Sequence, residues 1–232
     1  MTEREVFLNH LAEASGRARH QLVDHPFTPI NTLPATTLSD LSADELLNLA
    51  QKRSVALQVD FQVTPQKKLP QVLNAWLKSQ HAQNILLPTD PRFSAYGLDQ
   101  WLAHLTPTPR FWQPNAGRAT NLDAASHADV AIAIGDYLLA ESGTLTVATT
   151  RGQGRAFHFL PTHYLAIIPR SHVVPRSYQA LQAYRQALQN GTLQTSNINF
   201  ISGPSNSGDI EMVLVVGVHG PLTVSYVVID DA

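Results

Sequence analysis

The 232-residue chain carries 16 Lys and Arg against 18 Asp and Glu, a formal net charge of -2, and charged residues make up 15% of it, below the roughly 25% usual for soluble domains. Acidic and basic residues are interspersed, and no apolar stretch approaches the roughly 18 residues that span a bilayer, which argues against nucleic-acid binding and against membrane insertion. The absence of cysteine excludes disulfides, a thiol nucleophile and thiolate-held zinc or iron–sulfur clusters within the chain. Met1-Thr2-Glu3-Arg4-Glu5 is not a secretory signal, so the expected compartment is the cytoplasm. The last lysine is Lys78, so no Schiff-base or phosphate-loop lysine can come from the C-terminal two thirds.

In chain order, the first eighteen residues read as an exposed helix with Val6, Phe7, Leu11 and Ala14 on one face. Asp24–Leu38, with Pro26, Pro29 and Pro34, reads as an extended linker, which divides the chain into residues 1–38 and an α/β domain over 39–232. Ser42 followed by Glu45 has the form of a capping box opening a helix through about Leu57. Val59–Val63 reads as a strand, Pro65 starts a helix carrying Val72, Leu73, Trp76 and Leu77, and Asn84–Leu87 reads as a short buried strand. Gly97–Leu105 and residues 116–125 read as helical, with the Phe111-Trp112 pair exposed between them. Core packing is the usual fate of such a pair, and stacking on a ligand is the functional alternative.

After Asp129 the texture changes. Val130–Ile134, Tyr137–Ala140, Thr144–Thr150, Arg155–Leu160 and Tyr164–Ile168 read as strands separated by turns. Ser177–Gln189 is a helix stopped by Asn190-Gly191, while Asn197–Ile201 and Leu222–Ile229 are strands. Asp209–Val216 fits a strand or a short helix capped by Ser207, because so short an apolar run does not decide the period. Helices alternating with strands place the chain in the α/β class.

Several turns could carry chemistry. Glu141, in Ala140-Glu141-Ser142-Gly143-Thr144, would sit on a tightly bent sheet edge as a nucleophile or proton carrier; a solvated hairpin turn is the plain alternative. Ser202-Gly203-Pro204-Ser205 could present successive amides to a carboxylate or phosphate, helped by its two hydroxyls. Asp209 and Glu211 add negative charge beyond it, and Asp209 could instead cap its own loop. His219 lies in a glycine-flanked turn where its imidazole could act near neutral pH or simply hold the bend. His127, His158, His163 and His172 lack metal-ligand spacing, so no metal site is expected. Arg151-Gly152-Gln153-Gly154-Arg155 lacks the following helix that a dinucleotide fingerprint requires; it reads as a hairpin turn whose arginines could reach a substrate carboxylate.

Together these motifs give the chain its resemblance to the LUD-domain family. It rests on Ala140-Glu141-Ser142-Gly143-Thr144, on Leu160-Pro161 with His163, on Ser202-Gly203-Pro204-Ser205 leading to Asp209-Ile210-Glu211, and on Gly217-Val218-His219-Gly220-Pro221. The family commonly has threonine where Ser142 stands, and often an arginine where Asn206 stands.

The resemblance implies a three-layer fold similar to the ribose phosphate isomerase, glucosamine phosphate deaminase and CoA transferase superfamily: a mostly parallel sheet with flanking helices and an antiparallel portion. It also implies a role in oxidising L-lactate to pyruvate with iron–sulfur partner proteins that carry the clusters. On this reading the chain is an accessory or regulatory subunit without a cofactor of its own. A small carboxylate or phosphate would lie between Glu141, Asp209 and His219 as reactive groups and Gly143, Thr144, Ser202, Gly203, Ser205, Glu211 and Gly220 as binding positions. The rival readings are a free-standing CoA-transferase-like or isomerase-like enzyme using Glu141, and an interaction module that binds no small molecule.

Overall fold

The computed structural model describes residues 2–19, 28–210 and 213–231. The chain falls into two units, 1–34 and 35–232. The first contains a helix over Glu3–Ala14, whose Thr2 side chain accepts from the Glu5 amide. A short helix over Leu33–Thr36 lies inside the stretch expected to be extended. Pro34 is tolerated there because it occupies the first turn, where a backbone N–H has no helical acceptor.

Among the described residues twelve strands follow in order: β1 (Val59–Pro65), β2 (Ile85–Leu87), β3 (Arg110–Phe111), β4 (Val130–Ile134), β5 (Tyr137–Leu139), β6 (Thr144–Ala148), β7 (His163–Pro169), β8 (Val173–Val174), β9 (Ile198–Ile201), β10 (Asn206–Ile210), β11 (Val213–Val216) and β12 (Thr223–Asp230). Six of them form an all-parallel sheet in the order β1-β12-β7-β4-β2-β3. A second sheet, β8-β5-β6-β9, is largely antiparallel, and β10 and β11 pair as a hairpin. This is a three-layer α/β fold with a mostly parallel central sheet, flanking helices and an antiparallel portion.

Alternation along the central strands divides the interior in two, because successive side chains leave a strand on opposite faces. Val130, Ile132, Ile134, Leu165, Ile167, Val227 and Ile229 pack on one face with Leu73, Trp76, Leu77 and Trp101 from helices Leu69–Ser79 and Asp99–His104. Ala131, Ala133, Tyr164, Ala166, Ile168, Tyr226 and Val228 face the other way, toward helix Ala43–Ala56 and the inner side of the second sheet. Small residues on that face allow close approach. A Cβ at Gly135 would lie 2.4 Å from Leu145 Cδ1, so the end of β4 sits almost on β6. Helix Ser177–Gln189 covers the far side of the second sheet through Ala180 and Tyr184.

The Ser42–Glu45 capping box is present, with the Glu45 amide donating to Ser42 Oγ and the Ser42 amide to Glu45 Oε2. Asn190 and Gly191, at φ 71, close the helix before them. Of the segment that fits a strand or a short helix, Asp209–Ile210 and Val213–Val216 are strand, and residues 211 and 212 lie outside the described residues.

The segment Arg155–Leu160 differs from expectation: Arg155–Phe159 is a short helix. Phe157 and Phe159 flank His158 as they would in a strand, yet Phe157 and His158 are both buried, which adjacent residues of a strand facing one core cannot achieve. The turn before it is therefore followed by a helix after all. Its five residues, and its origin beyond a strand of the second sheet, still separate it from a dinucleotide fingerprint.

Gly203, at φ 81, has room for a Cβ only 2.3 Å from the Leu57 carbonyl oxygen, whereas Gly191, at φ 71, has nothing within 4 Å. Both substitutions to alanine incur the left-handed backbone penalty, but only Gly203→Ala adds a backbone clash. Gly203→Ala should lower stability by about 2 kcal/mol or more and the unfolding midpoint by roughly 4–8 °C, and Gly191→Ala by about half as much. Equal losses in thermal melts of the two variants would contradict the close approach.

Candidate functional site

Two of the motifs singled out in the sequence meet at the C-terminal end of helix Ala43–Ala56. The turn after β5 is bent tightly, with the Gly143 amide donating to the Leu139 carbonyl at 2.8 Å and the Glu141 amide to the Pro175 carbonyl at 3.0 Å. Gly143, at φ 70, lies against the helix: its Cβ would be 2.5 Å from the Ser54 nitrogen. Gly203 makes the equivalent approach to Leu57 at the same helix end. Thr144 Oγ1, in consequence, stands 2.8 Å from Ser202 Oγ and accepts from Ser142 Oγ at 2.9 Å.

Glu141 is half-exposed and its Oε2 accepts from Arg176 Nε at 2.7 Å. The carboxylate is held by that guanidinium. Beyond Ser202 and Gly203, the Ser205 amide donates to the Pro221 carbonyl at 3.0 Å and the Ser205 carbonyl accepts from Gly217 at 2.7 Å. Ser205 thus fastens the base of the β10–β11 hairpin, and its amide is not part of an anion nest. Gly220 packs on Ser205, where a Cβ would lie 3.1 Å from the serine Cβ. The backbone of Asp209 belongs to β10; Glu211 lies outside the described residues.

His219 stands apart from the Glu141 turn. It is exposed and lines a cavity of about 630 Å³ with Trp112, Arg118, Leu122, Gly154, Arg155, Ala156, Phe159 and Leu160. Glu141, Thr144 and Ser202 do not line that cavity. Strand alternation separates the aromatic pair: Trp112 turns inward, edge-on to Phe157 with ring centroids 6.3 Å apart, and Phe111 faces solvent. Gly154 lies flat on the indole, since a Cβ there would be 2.2 Å from Trp112 Cζ2.

Arg155 projects beside Phe159, its guanidinium carbon 5.9 Å from the ring centroid. Among the described residues neither Arg118 nor Arg155 has a carboxylate within ion-pair distance. Two guanidinium groups without an ion-pair partner among the described residues stand with an imidazole around an apolar wall, a lining complementary in charge to a small carboxylate. Arg155 and Trp112 had sequence signals, as the arginine of a glycine turn and one of an aromatic pair. Arg118 had none, because helix Gly117–Ser126 carries only a weak apolar stripe.

The comparisons with known proteins bear on this arrangement. The LUD domain model matches residues 47–229. The chain belongs to the LUD domain family. Lactate utilization protein C of Geobacillus kaustophilus is 44% identical over 98% of this chain and 96% of its own length. The proteins of that name from Halalkalibacterium halodurans and Bacillus subtilis are 38% and 36% identical, each over 98% of this chain and over 98% and 96% of their own lengths. A crystal structure of a DUF162 family protein from Deinococcus radiodurans superposes with a TM-score of 0.59 at 17% identity, over 82% of this chain and 99% of that one, which shows the shared fold.

Among the described residues of this LUD-family chain, no group of three or more His, Asp or Glu is placed to hold a metal ion, and no helix is long and apolar enough to cross a membrane. His158, next to the cavity-lining Ala156 and Phe159, is fully buried. Its Nδ1 lies 3.0 Å from Tyr164 Oη and its Nε2 has no partner.

Desolvation pushes the His158 pKa down to about 3. The unfolded chain therefore takes up a proton below about pH 6.5 that the folded chain refuses, so stability rises with pH between those two values. Lowering the pH from 7 to 5 should remove about 2 kcal/mol through this group alone. Urea melts of the wild type and of His158→Phe should diverge over that range, with the variant the flatter. Identical pH slopes would exclude a neutral buried imidazole.

Proposed function

We propose that this LUD-family chain serves L-lactate utilisation as an accessory or regulatory component of a cytoplasmic system that oxidises L-lactate to pyruvate with iron–sulfur partner proteins. The full-length relatives named lactate utilization protein C support the pathway. Oxidation of lactate releases two electrons and two protons, and a chain without cysteine has no thiolates to hold a cluster that would accept them. Electrons accordingly pass to clusters on partners, while this subunit holds the acid or its oxidised product.

The observation that carries the reading is the convergence of Arg118, Arg155 and His219 on one cavity. The guanidinium groups bind the carboxylate, in an apolar setting that strengthens the attraction. His219 offers a hydrogen bond to the 2-hydroxyl of lactate or the 2-oxo group of pyruvate. The Glu141 turn has a supporting role here: with Thr144 and Ser202 it anchors the strand-end loops on helix Ala43–Ala56.

Calorimetric titration should show L-lactate or pyruvate binding to the wild type. Arg118→Gln combined with Arg155→Gln should weaken it by about tenfold or more, given about 1.5–3 kcal/mol for a hydrogen bond to a charged group. Deleting the chain should abolish growth on L-lactate, and the tagged protein should copurify iron–sulfur proteins. Unchanged binding in the double variant removes the carboxylate site; undiminished growth on L-lactate removes the pathway assignment.

A further inference from the structure

Residues 142–208 carry five arginines and no acid, and the run between Asp60 and Asp90 is another such stretch. That stretch holds Lys67, Lys68 and Lys78 and not one Asp or Glu, in a chain of four lysines and net charge -2. It folds around helix Leu69–Ser79, which forms one wall of an open groove of about 780 Å³; helix Asp99–His104 forms the other. Trp101 Nε1 donates to Asn74 Oδ1 at 2.8 Å and ties the two walls together. The groove lies on the sheet face opposite the His219 cavity, since Leu77, Trp101 and Leu105 in its lining belong to the other core.

Every charged or titratable side chain in the lining is basic: Lys78, His81 and His104, all exposed. None has a carboxylate partner among the described residues. The nearby acids are occupied elsewhere, Asp99 by Ser94 Oγ at 2.5 Å and Asp129 by the Gln83 and Asn84 amides at 2.8 Å. His104 donates Nδ1–H to the Gln100 carbonyl at 2.8 Å, leaving Nε2 for a ligand.

Helix-dipole compensation accounts for Lys78 and His104 in the last turns of their helices. It does not account for Lys67 and Lys68. They stand at the amino end of helix Leu69–Ser79, beside the groove residue Pro70, where the dipole disfavours cations and no acid sits in the first turn. The helix thus carries cations at its amino end against its own electrostatic preference as well as at its carboxyl end, which is the pattern expected when an external anion supplies the compensation.

We infer that this groove docks an extended acidic segment of a partner protein. Lys78 in the groove and Lys67 and Lys68, in the chain just before its lining residue Pro70, are separated by the helix, about 16 Å at 1.5 Å per residue, which matches some five residues of extended chain at about 3.3 Å each. Carboxylates of the segment meet Lys78 and the two histidines inside the groove and Lys67 and Lys68 beyond it, and its apolar side chains lie over Leu77 and Trp101. Nucleic acid is disfavoured, because so few cations release few counterions and the floor is apolar and rich in amides.

The test uses a fluorescein-labelled peptide alternating glutamate with leucine, its lysine-for-glutamate counterpart, and an oligothymidylate of matched length. In fluorescence anisotropy at low salt the glutamate peptide alone should bind. Lys67→Glu, Lys68→Glu and Lys78→Glu combined should weaken it by about tenfold, as three partly exposed ion pairs would. Arg118→Gln with Arg155→Gln should leave it unchanged, so that failure here is separable from failure of the carboxylate site. Carbodiimide should join the peptide to Lys78, mapped by mass spectrometry, and Lys78→Arg should keep the binding but lose that crosslink. Thermal melts confirm that the exposed lysine variants remain folded. No binding by the glutamate peptide, equal binding by the oligothymidylate, or binding indifferent to the triple reversal overturns the assignment.

Discussion

The architecture depends on the parallel pairing of β12, the last strand in the chain, between β1 and β7. Among the described residues β1 pairs with β12 alone, so without that strand β1 would have no place in the sheet. Five apolar side chains of β12, Val224, Tyr226, Val227, Val228 and Ile229, are buried on its two faces. At about 1.5–3 kcal/mol for each such side chain, their gross contribution is on the order of 10 kcal/mol, comparable with the whole net stability of a typical domain. The parallel sheet is therefore complete only with β12 in place. The requirement also dictates the preceding path: from β9 in the second sheet the chain must return to the start of β12, and the segment 202–222 that makes this return carries Ser202, Ser205 and His219.

That return path explains why the polar turns do not all share a pocket. Ser202 and Gly203 leave β9 at the C-terminal end of helix Ala43–Ala56, where Gly143 already lies, so Thr144 and Ser202 meet as a consequence of backbone packing. Ser205 then closes the base of the hairpin on Pro221, and Gly220 packs behind it. Among the described residues of this segment, His219 in the last turn reaches a cavity. The hydroxyl and carboxylate groups of the first turn are engaged with neighbouring side chains, while the proposed carboxylate site draws its cations from arginines on helices whose positions the sheet sets.

The sequence made legible what is decided locally. Ser42 and Glu45 cap a helix three residues apart, and Asn190-Gly191 stops one, because each signal is a short-range hydrogen bond or a backbone conformation. The alternating runs of β4, β7 and β12 were equally plain. What escaped was long-range. Nothing near Gly143 or Gly203 says that Ser54 and Leu57 will press against them, and Arg155–Leu160 imitates a strand because Phe157 and Phe159 bracket a histidine that is itself buried. Arg118 acquires its role only when helix Gly117–Ser126 is set beside helix Arg155–Phe159. Burial of a histidine cannot be read from one polar letter between two aromatic ones.

The two-faced sheet finally accounts for the division of labour between the clefts. Alternation sends Ala131, Ala133 and Ala166 toward one side and Val130, Ile132, Leu165 and Ile167 toward the other. The small-residue face admits a second sheet at close range, and the cavity that opens at its margin is walled by aromatic rings and short helices. The bulky face is covered by helices Leu69–Ser79 and Asp99–His104 packed directly on it, and the space between them is the groove. A cavity with two arginines beside aromatic rings suits a small anion, whereas a groove that runs along a helix and is lined by a lysine and two histidines suits an acidic chain segment. Since the two lie on opposite faces of one sheet, both can be occupied at once, and a partner seated in the groove would leave the cavity accessible.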